Sequence, residues 1–414
     1  MDLIQVFEYD KLVVGRIDGF DFKKEHLDAL VRFHKDECPY YSLIKDGVKF
    51  RQYVGILKVG DLTIEVLPKA DKQREGNRNF WHSRLVQMLS RVYDLKIYMP
   101  TVADQSLQKP LLDIFVAKFL DEVDSLQNKG LVKCYRREDS NQNSLKGRVL
   151  WSKQVTLNCV HKEKFYVNHT TYDYEHTLNR ILRKALEVIP EIVCSSSLRG
   201  RAVSSLFAFP ELKDIQPTAE LFSQLQFDRK TDDYRMAISI AKLILLNYSP
   251  DLQQGKTDIF ALMFNMYTLW EEYIYRVLKQ KLPDYSVEYK REKILWRVCD
   301  DDNRKPVRVQ YDIMVSNGKV RAILDTKWKQ PDLDHPVPSH HDLQQMYVYI
   351  KLFDADRVAL VYPGNREDVD GKFEDKDSIR CDMLFIPCED EDFNEWEDRI
   401  AEKVNGWLKK EFFS

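Results

Sequence analysis

The sequence lacks an uninterrupted apolar run near the roughly 18 residues that would cross a bilayer. The N-terminal stretch MDLIQVFEYDKLVVG also lacks the basic start and apolar core of a signal peptide. The seven cysteines are scattered and never form the CxxC pairs typical of zinc sites, which favours reduced thiols. We therefore expect a cytoplasmic protein that makes no membrane contact.

The sequence also lacks an excess of charge of either sign. Lys and Arg number 63 against 66 Asp and Glu, so the net charge of -3 leaves no global signature of nucleic-acid binding. Any contact with DNA must come from a local patch of basic residues.

A complete phosphate-binding P-loop is missing as well. Gly255-Lys256-Thr257 resembles its end, but Pro250 stands where the first glycine of the motif belongs, and a helical pattern precedes it. The sequence therefore predicts that this chain binds no nucleotide itself.

What is present indicates several globular domains. At 414 residues the chain is too long for one ordinary core, and 44% hydrophobic residues are enough to build sizeable ones. We predict a mixed β/α N-terminal region over residues 1–105, a mostly helical middle region over 106–250 and a compact α/β region over 251–414. The overall fold class is α/β, or α+β for the whole chain.

The last region has the order α-β-β-β-α-β, with helices covering a mixed sheet. The pattern predicts a helix over Asp258–Gln280, a strand near Ser286–Tyr289 and a hairpin that turns at Asn317-Gly318. A helix over Asp342–Phe353, strands over Arg357–Tyr362 and Met383–Pro387, and a closing helix follow.

The hairpin VRVQYDIMVSNGKVRAILDTKWK carries the strongest chemical signal. A two-residue turn at Asn317-Gly318 would pair Ser316 with Lys319 and set Asp312 opposite Ile323. Asp312 and Asp325 would then be diagonal neighbours, about 7 Å apart at Cβ, on one face with Lys327. Such a pair can hold Mg²⁺ or Mn²⁺, and the lysine can assist a water or stabilise a phosphate.

The alternative interpretation is a solvated strand face on which these residues are merely polar. The preceding helix argues against it, because Glu271 falls on an apolar stripe where a carboxylate needs a partner such as a metal. After the hairpin, Gln345 lies on a helix where it could orient a water or a phosphate. His340 and His341 are adjacent in sequence, so they do not face the same way and are poor metal-ligand candidates.

These residues together resemble the PD-(D/E)xK nuclease motif, with Glu271, Asp312, Asp325 and Lys327 at its positions and LDTKWK as its most specific part. Tyr311 replaces the proline of the motif. Upstream, YVGILKVGDLTIEVLPKA, GLVKCYRREDSNQNSLKGRVLW, TLNRILRKAL and NMYTLWEEYI are similar, in the right order, to segments of the McrC family. The likeness spans roughly residues 50 to 360.

The resemblance implies the nuclease subunit of a modification-dependent restriction system. It implies a hexameric AAA+ GTPase of the McrB type as the partner, double-stranded modified DNA as the substrate, and an N-terminal domain that enters the ring and stimulates GTP hydrolysis. Candidate contacts to the partner or to DNA are Arg51, Lys69, Lys146 and Arg148.

Two other functions remain open from the sequence. The chain could be an activator subunit without catalysis, or a nuclease of another defence or repair system that needs no motor.

Overall fold

The structure is a computed structural model of the 414-residue chain. It describes residues 2–17, 20–34, 38–69, 77–95, 109–249, 259–299, 304–329, 331, 336–374, 379–388 and 393–410. The chain divides into two compact units: unit 1 comprises Met1–Leu111 with Gly255–Ser414, and unit 2 comprises Leu112–Gln254. Both ends of the chain thus belong to one unit. Within the described residues, no helix has the length and apolar character needed to span a bilayer.

The N-terminal part of unit 1 is rich in strands, as predicted. Its described elements are β1 (Asp2–Phe7), β2 (Lys11–Val13), β3 (Gly15–Ile17), β4 (Phe20–Phe22), α1 (Lys24–His34), β5 (Tyr41–Ile44), β6 (Gly47–Phe50), β7 (Tyr53–Val59), β8 (Leu62–Leu67) and α2 (Arg78–Val92). β7 and β8 form an antiparallel hairpin, and Gly60 at its turn has a φ of 62°, a value that glycine adopts readily. β1 pairs with β8 in parallel.

The C-terminal part of unit 1 contains a mixed sheet with helices on it. Its described elements are β13 (Ile259–Asn265), α9 (Met266–Lys281), β14 (Ser286–Tyr289), β15 (Glu292–Trp296), β16 (Val307–Gln310), β17 (Ile313–Ser316), β18 (Arg321–Thr326), α10 (His340–Phe353), β19 (Arg357–Pro363), β20 (Arg380–Ile386) and α11 (Phe393–Lys409). The sheet order is β14-β17-β18-β19-β20, antiparallel up to β18 and parallel beyond it. The predicted mixed α/β fold is confirmed.

The core of this sheet lies under α10. Met346, Ile350 and Phe353 of the helix pack with Ile323 of β18 and Val358 of β19, and all five are at most 3% exposed. The helix spacing of i, i+4 and i+7 creates this apolar stripe, which fixes α10 above the end of β18. Asp325 lies at that end of β18 and Gln345 lies in α10, so the packing sets their separation.

The predicted helix over Asp258–Gln280 is wrong in its first part. Ile259–Asn265 forms β13, which pairs antiparallel with β7, and α9 begins only at Met266. The side chain of Asn265 caps α9 by accepting hydrogen bonds from the backbone N–H groups that follow. The run of β13 is buried on both faces, so its apolar residues show no alternation, and Asp258 lies outside the described residues.

The predicted two-residue turn at Asn317-Gly318 is also wrong. Ser316 pairs with Arg321, so the connection has four residues, and the side-chain oxygen of Asn317 accepts hydrogen bonds from the N–H groups of Lys319 and Val320. This Asx-type closure competes successfully with the tighter turn.

The shifted register pairs Ile323 with Met314 rather than with Asp312. The first hairpin strand is also divided at Tyr311 and Asp312: β16 before them pairs with β15, and β17 after them pairs with β18. The two aspartates are therefore not diagonal neighbours in a regular ladder, and their proximity has another origin.

Unit 2 combines helices with a small antiparallel sheet. Its described elements are α3 (Leu111–Lys129), β9 (Cys134–Gln142), β10 (Arg148–Val149), α4 (Trp151–Leu157), β11 (Phe165–Asp173), α5 (Thr177–Ile192), α6 (Ser196–Ala208), α7 (Ala219–Ser223), a 3-10 turn (Asp232–Tyr234), α8 (Arg235–Leu246) and β12 (Tyr248–Ser249). The sheet order is β10-β11-β9. Helices predominate here, as the sequence predicts for the middle region, and the sheet is formed by strands that lie between α3 and α5 in the chain.

Candidate active site

Asp312 and Asp325 meet at the end of β18. The backbone N–H and the hydroxyl of Thr326 both donate to Asp312 Oδ2, at 2.8 and 3.2 Å. These two hydrogen bonds hold the Asp312 carboxylate beside the residue that follows Asp325. The structure therefore places the two aspartates together, but through a side-chain bridge rather than through the predicted strand register.

Lys327 extends the same edge of the sheet. Its backbone N–H donates to Val361 O at 2.9 Å, which continues the parallel pairing of β18 with β19. Its ammonium lies 2.5 Å from Asp325 Oδ2 and donates to Gln345 Oε1 at 3.3 Å. Asp325 is 1% exposed, so this side of the hairpin is buried and the solvated-face interpretation fails for Asp325.

Gln345 is held in place by a short chain of hydrogen bonds. Its Nε2 donates to Tyr349 Oη at 2.5 Å, and that hydroxyl donates to Gln310 O at 2.6 Å. The amide oxygen of Gln345 is left to face Lys327. Gln345 is therefore a positioning residue, which holds the ammonium of Lys327 in place.

Glu271 approaches from α9 and is 8% exposed. Its Oε1 lies 3.2 Å from the ammonium of Lys290, whereas the neighbouring Glu272 pairs with Arg276 at 2.8 Å. Glu271 acts electrostatically on both Asp312 and Asp325, so it belongs to the cluster and Glu272 does not.

The three carboxylates make one another harder to ionise. Burial, and then the charge of Glu271, raises the pKa of Asp312 to about 6. Burial, and then the charge of Asp312, raises the pKa of Asp325 to about 7 despite the ammonium of Lys327. Burial also raises the pKa of Glu271 against the pull of Lys290. The cluster therefore holds more negative charge than its lysines neutralise.

The donor chemistry fits a divalent cation. Both carboxylate oxygens of Asp325 are buried and accept no hydrogen bond from the described residues, apart from the ion pair to Lys327. Oxygen ligands of this kind suit Mg²⁺ and Mn²⁺. As the side chains stand, no three His, Cys, Asp or Glu residues in the described part of the chain form a ready-made metal cage. Lys327 and Lys290 are the local counterions of Asp325 and Glu271.

Three charged residues of this cluster were not predicted from the sequence: Asp342, Lys329 and Lys290. Asp342 is 4% exposed and lies 3.7 Å from Lys327 and 2.7 Å from Lys329. An acidic residue in the first turn of α10, beside the predicted hairpin lysines, could have drawn attention to it. Lys290 gave no such signal, because only the folded chain brings it to Glu271.

The other candidate residues lie elsewhere. Arg51, Lys146 and Arg148 are exposed, the first in unit 1 and the other two in unit 2. Lys69 is partly exposed, with its ammonium 3.8 Å from Asp10 and 6.0 Å from the ring centre of Phe7. His340 and His341 begin α10. Among the described residues, neither histidine belongs to a group of three or more His, Cys, Asp or Glu side chains that could hold a metal ion.

Comparison with known proteins gives the class of this molecule. The family model described as "McrBC 5-methylcytosine restriction system component" matches residues 48–363, which is more than half of the chain. This match places the chain in the class of restriction-system components. The chain belongs to the McrBC 5-methylcytosine restriction system component family, and the likeness to McrC inferred from the motifs is confirmed.

A curated relative and two solved structures are similar to it. The relative is the "Type IV methyl-directed restriction enzyme EcoKMcrBC" of Escherichia coli (strain K12), 26% identical over 231 residues. That match covers 50% of this chain and 64% of the relative, which is less than two thirds of the relative's length.

The first structure is a half-complex from the tetradecameric assembly of Thermococcus gammatolerans McrB AAA+ hexamers with bound McrC. It matches with a TM-score of 0.72 at 19% identity, over 98% of this chain and 100% of that chain. The cryo-EM structure of the McrBC complex from the same organism matches with a TM-score of 0.52 at 22% identity, over 68% and 88%. At these identities the likeness establishes the fold.

Proposed function

We propose that this chain is the nuclease subunit of a modification-dependent restriction system and hydrolyses DNA phosphodiesters with Mg²⁺ or Mn²⁺. The observation that carries the proposal is the buried Asp325, whose oxygens have no partner among the described residues other than the ammonium of Lys327 at the end of β18. In a structural role these carboxylates would have hydrogen-bond donors that match their charge, whereas here burial and mutual repulsion raise their pKa values.

In this proposal Asp312, Asp325 and Glu271 hold the metal. A bound Mg²⁺ or Mn²⁺ would supply positive charge and Lewis-acid polarisation for the scissile phosphate. Lys327 stabilises the negative charge that builds on the phosphate oxygens, and Gln345 orients its ammonium for that task. Thr326 keeps the Asp312 carboxylate facing the cluster through two hydrogen bonds.

The partner we propose is a hexameric AAA+ GTPase of the McrB type, with double-stranded modified DNA as the substrate. The support is family membership, together with the structural neighbour whose title describes McrB AAA+ hexamers with bound McrC. We propose that residues 1–105 dock on that motor, that residues 251–414 cut, and that this chain leaves nucleotide binding to the motor. Arg51, Lys69, Lys146 and Arg148 stay candidates for contacts with the motor or with DNA.

The test compares two neighbouring lysines that both contact Asp342. Lys327→Ala removes the ammonium at Asp325, whereas Lys329→Ala removes one that the structure pairs only with Asp342 among the described residues. With the partner GTPase, GTP, Mg²⁺ and methylated DNA, we expect Lys327→Ala to lower the cleavage rate by at least about 100-fold. Lys329→Ala should change it by only a few-fold, and stimulation of GTP hydrolysis should survive in both.

Two results would replace this proposal by an alternative function. If the wild-type chain stimulates GTP hydrolysis but never cuts DNA, it is an activator without catalysis. If the chain alone cuts DNA with Mg²⁺ and without GTP, it is a self-sufficient nuclease.

A further inference from the structure

A two-stranded ribbon stands apart from the main sheet of unit 1. β15 and β16 pair only with each other among the described strands, with Glu292 opposite Gln310 and Trp296 opposite Val307. We define the basic ribbon as residues 290–299 and 304–310. None of its side chains is fully buried, although Lys293 and Val309 on one face pack against the α10 end of the core. Most of the other side chains of the ribbon are exposed.

The basic ribbon carries the charge that the whole chain lacks. Its exposed cationic side chains outnumber its exposed carboxylates by five to one; they are Arg291, Arg297, Arg304, Lys305 and Arg308, against Glu292. Residues 300–302 are aspartates outside the described residues, and with them the stretch 290–310 still has seven basic and four acidic residues. Its net charge of +3 contrasts with -3 for the chain, and such a local patch attracts polyanions.

Large apolar side chains are exposed on the same ribbon. Leu295 is 47% exposed, Trp296 58% and Val307 50%, and all three lie at the end of the paired strands opposite to Glu292 and Gln310. A strand pair with exposed apolar residues gains from covering them with a partner.

The other end of the ribbon is fixed at the candidate active site. The backbone N–H of Lys290 donates to Asp312 O at 3.0 Å, and its ammonium contacts Glu271 at 3.2 Å. Gln310 O accepts the hydrogen bond from Tyr349. This end of the ribbon therefore lies beside Asp312 and Glu271, so a polymer bound along the ribbon would reach the carboxylate cluster there.

We propose that the basic ribbon binds duplex DNA by entering the major groove and so places the scissile phosphate at Asp312 and Asp325. A strand of five residues spans about 17 Å, and the major groove, about 12 Å wide, admits a two-stranded ribbon. Arg297, Arg304 and Lys305 contact the phosphates, and Trp296 lies against the bases. The inference deepens the proposed nuclease function and rests on it.

The first experiment measures binding of the full-length chain to a fluorescein-labelled 30-base-pair duplex in EDTA, so that cleavage plays no part. The variant is Arg297→Ala/Arg304→Ala/Lys305→Ala. We expect Kd to rise at least 10-fold at low salt, and the slope of log Kd against log salt to fall by about 2 to 3, at roughly 0.9 per lost phosphate contact.

The matched control removes three exposed cations from unit 2, as Arg229→Ala/Lys230→Ala/Lys242→Ala. It should bind DNA within twofold of wild type. The inference is overturned if the ribbon variant also binds within twofold of wild type. It is equally overturned if that variant keeps its DNA affinity but no longer stimulates the partner GTPase, since the ribbon would then contact protein.

A second measurement needs no substitution. Cys299 lies on the ribbon and Cys159 in unit 2, and both thiols are exposed. Saturating duplex should slow the alkylation of Cys299 by N-ethylmaleimide several-fold more than that of Cys159, as followed by mass spectrometry. Equal rates at Cys299 with and without DNA would refute DNA binding by the ribbon.

Failure of this inference is distinguishable from failure of the nuclease proposal. A ribbon variant with unchanged DNA affinity, beside a Lys327→Ala variant that cannot cut, removes only the inference. Loss of affinity in the ribbon variant, beside a wild-type chain that never cuts, removes the nuclease and leaves a DNA-binding subunit.

Discussion

Two buried carboxylates of unit 1 have opposite surroundings. Glu65 is 0% exposed and accepts hydrogen bonds from Gln5 at 2.6 Å and from the Leu111 N–H at 3.1 Å, with His82 Nδ1 3.1 Å away. Burial alone would raise the pKa of Glu65, but the charge and hydrogen bond of His82 and the other two donors bring it below its usual value. Asp325 is 1% exposed, and burial raises its pKa to about 7.

The difference indicates that ionised Glu65 stabilises the fold, whereas ionised Asp325 destabilises it. Glu65 joins β8 to His82 of α2 and to the backbone of Leu111, and hydrogen-bond donors face both of its oxygens. Among the described residues, Lys327 is the one counterion of Asp325, and two further carboxylates oppose its ionisation. Buried charge without compensation costs stability, so natural proteins keep it where it has a function.

The largest expected effect comes from Asp325→Asn. We expect the rate of DNA cleavage with the partner GTPase to fall by at least about 1,000-fold, because a metal ligand is lost. At pH 8 and without Mg²⁺, however, the free energy of unfolding should stay the same or rise, because the substitution removes a charge that the fold disfavours. Stopped-assay cleavage and urea unfolding measure the two quantities.

Mg²⁺ supplies a readout for Asp325 that does not depend on activity. Millimolar Mg²⁺ should raise the Tm of wild type and leave that of Asp325→Asn unchanged, since a ligand that binds the native state stabilises it. A large loss of stability in the variant without Mg²⁺ would show that Asp325 is structural, like Glu65.

The second largest effect is expected for Glu65→Gln, and it is an effect on the free energy of unfolding. The substitution removes a buried charge that accepts hydrogen bonds from Gln5 and from the Leu111 N–H, so the free energy of unfolding of unit 1 should fall by about 3 kcal/mol. Urea unfolding followed by tryptophan fluorescence reports on unit 1, which contains six of the seven tryptophans. Glu272→Gln, which breaks the i, i+4 pair with Arg276, is the control and should cost less than about 1 kcal/mol. A smaller loss for Glu65 than for Glu272 would contradict the comparison.

Local patterning in the sequence predicted much of the C-terminal sheet, and long-range pairing explains what it missed. Clear apolar periodicity and flanking turn residues mark β14, α10, β19 and β20 in the sequence. These elements form close to the predicted positions. β13 pairs with β7, about 200 residues earlier in the chain, and no local pattern shows that a buried apolar run is a strand rather than a helix. The turn after β17 depended on one side chain, that of Asn317.

The sequence named residues that the structure brings together at the candidate site, but it did not predict how they are arranged. The spacing of Asp325 and Lys327 on one strand puts both side chains on the same face whatever the pairing register, so that part was insensitive to the turn. The position of Asp312 came instead from its hydrogen bonds to Thr326, and that of Glu271 from the packing of α9. Asp342 and Lys290 join the cluster through tertiary contacts that no sequence spacing shows.

Glu8 lies between the two extremes and gives the smallest expected effect. Its Oε1 accepts hydrogen bonds from Trp328 Nε1 at 2.7 Å and from the Lys69 N–H at 2.9 Å, while its buried Oε2 accepts none from the described residues. Burial raises the pKa of Glu8 to about 7. The native state therefore favours protonated Glu8, and its contribution to stability is full below pH 4.5 and is lost as the pH rises through 7.

Glu8→Gln keeps an acceptor for Trp328 and Lys69 but cannot ionise. Relative to wild type, the variant should gain about 1 to 2 kcal/mol of unfolding free energy between pH 4.5 and pH 8. Taking the difference from wild type at each pH cancels the titration of the other carboxylates, and urea unfolding at half-unit steps measures it. A difference that is flat with pH, or that falls as the pH rises, would show that Glu8 is ionised in the native protein and fully matched, as Glu65 is. A gain that accumulates between pH 4.5 and pH 7 and levels off above pH 7 would instead place Glu8 with Asp325, as a second buried carboxylate, whose partner Trp328 follows Lys327 in sequence.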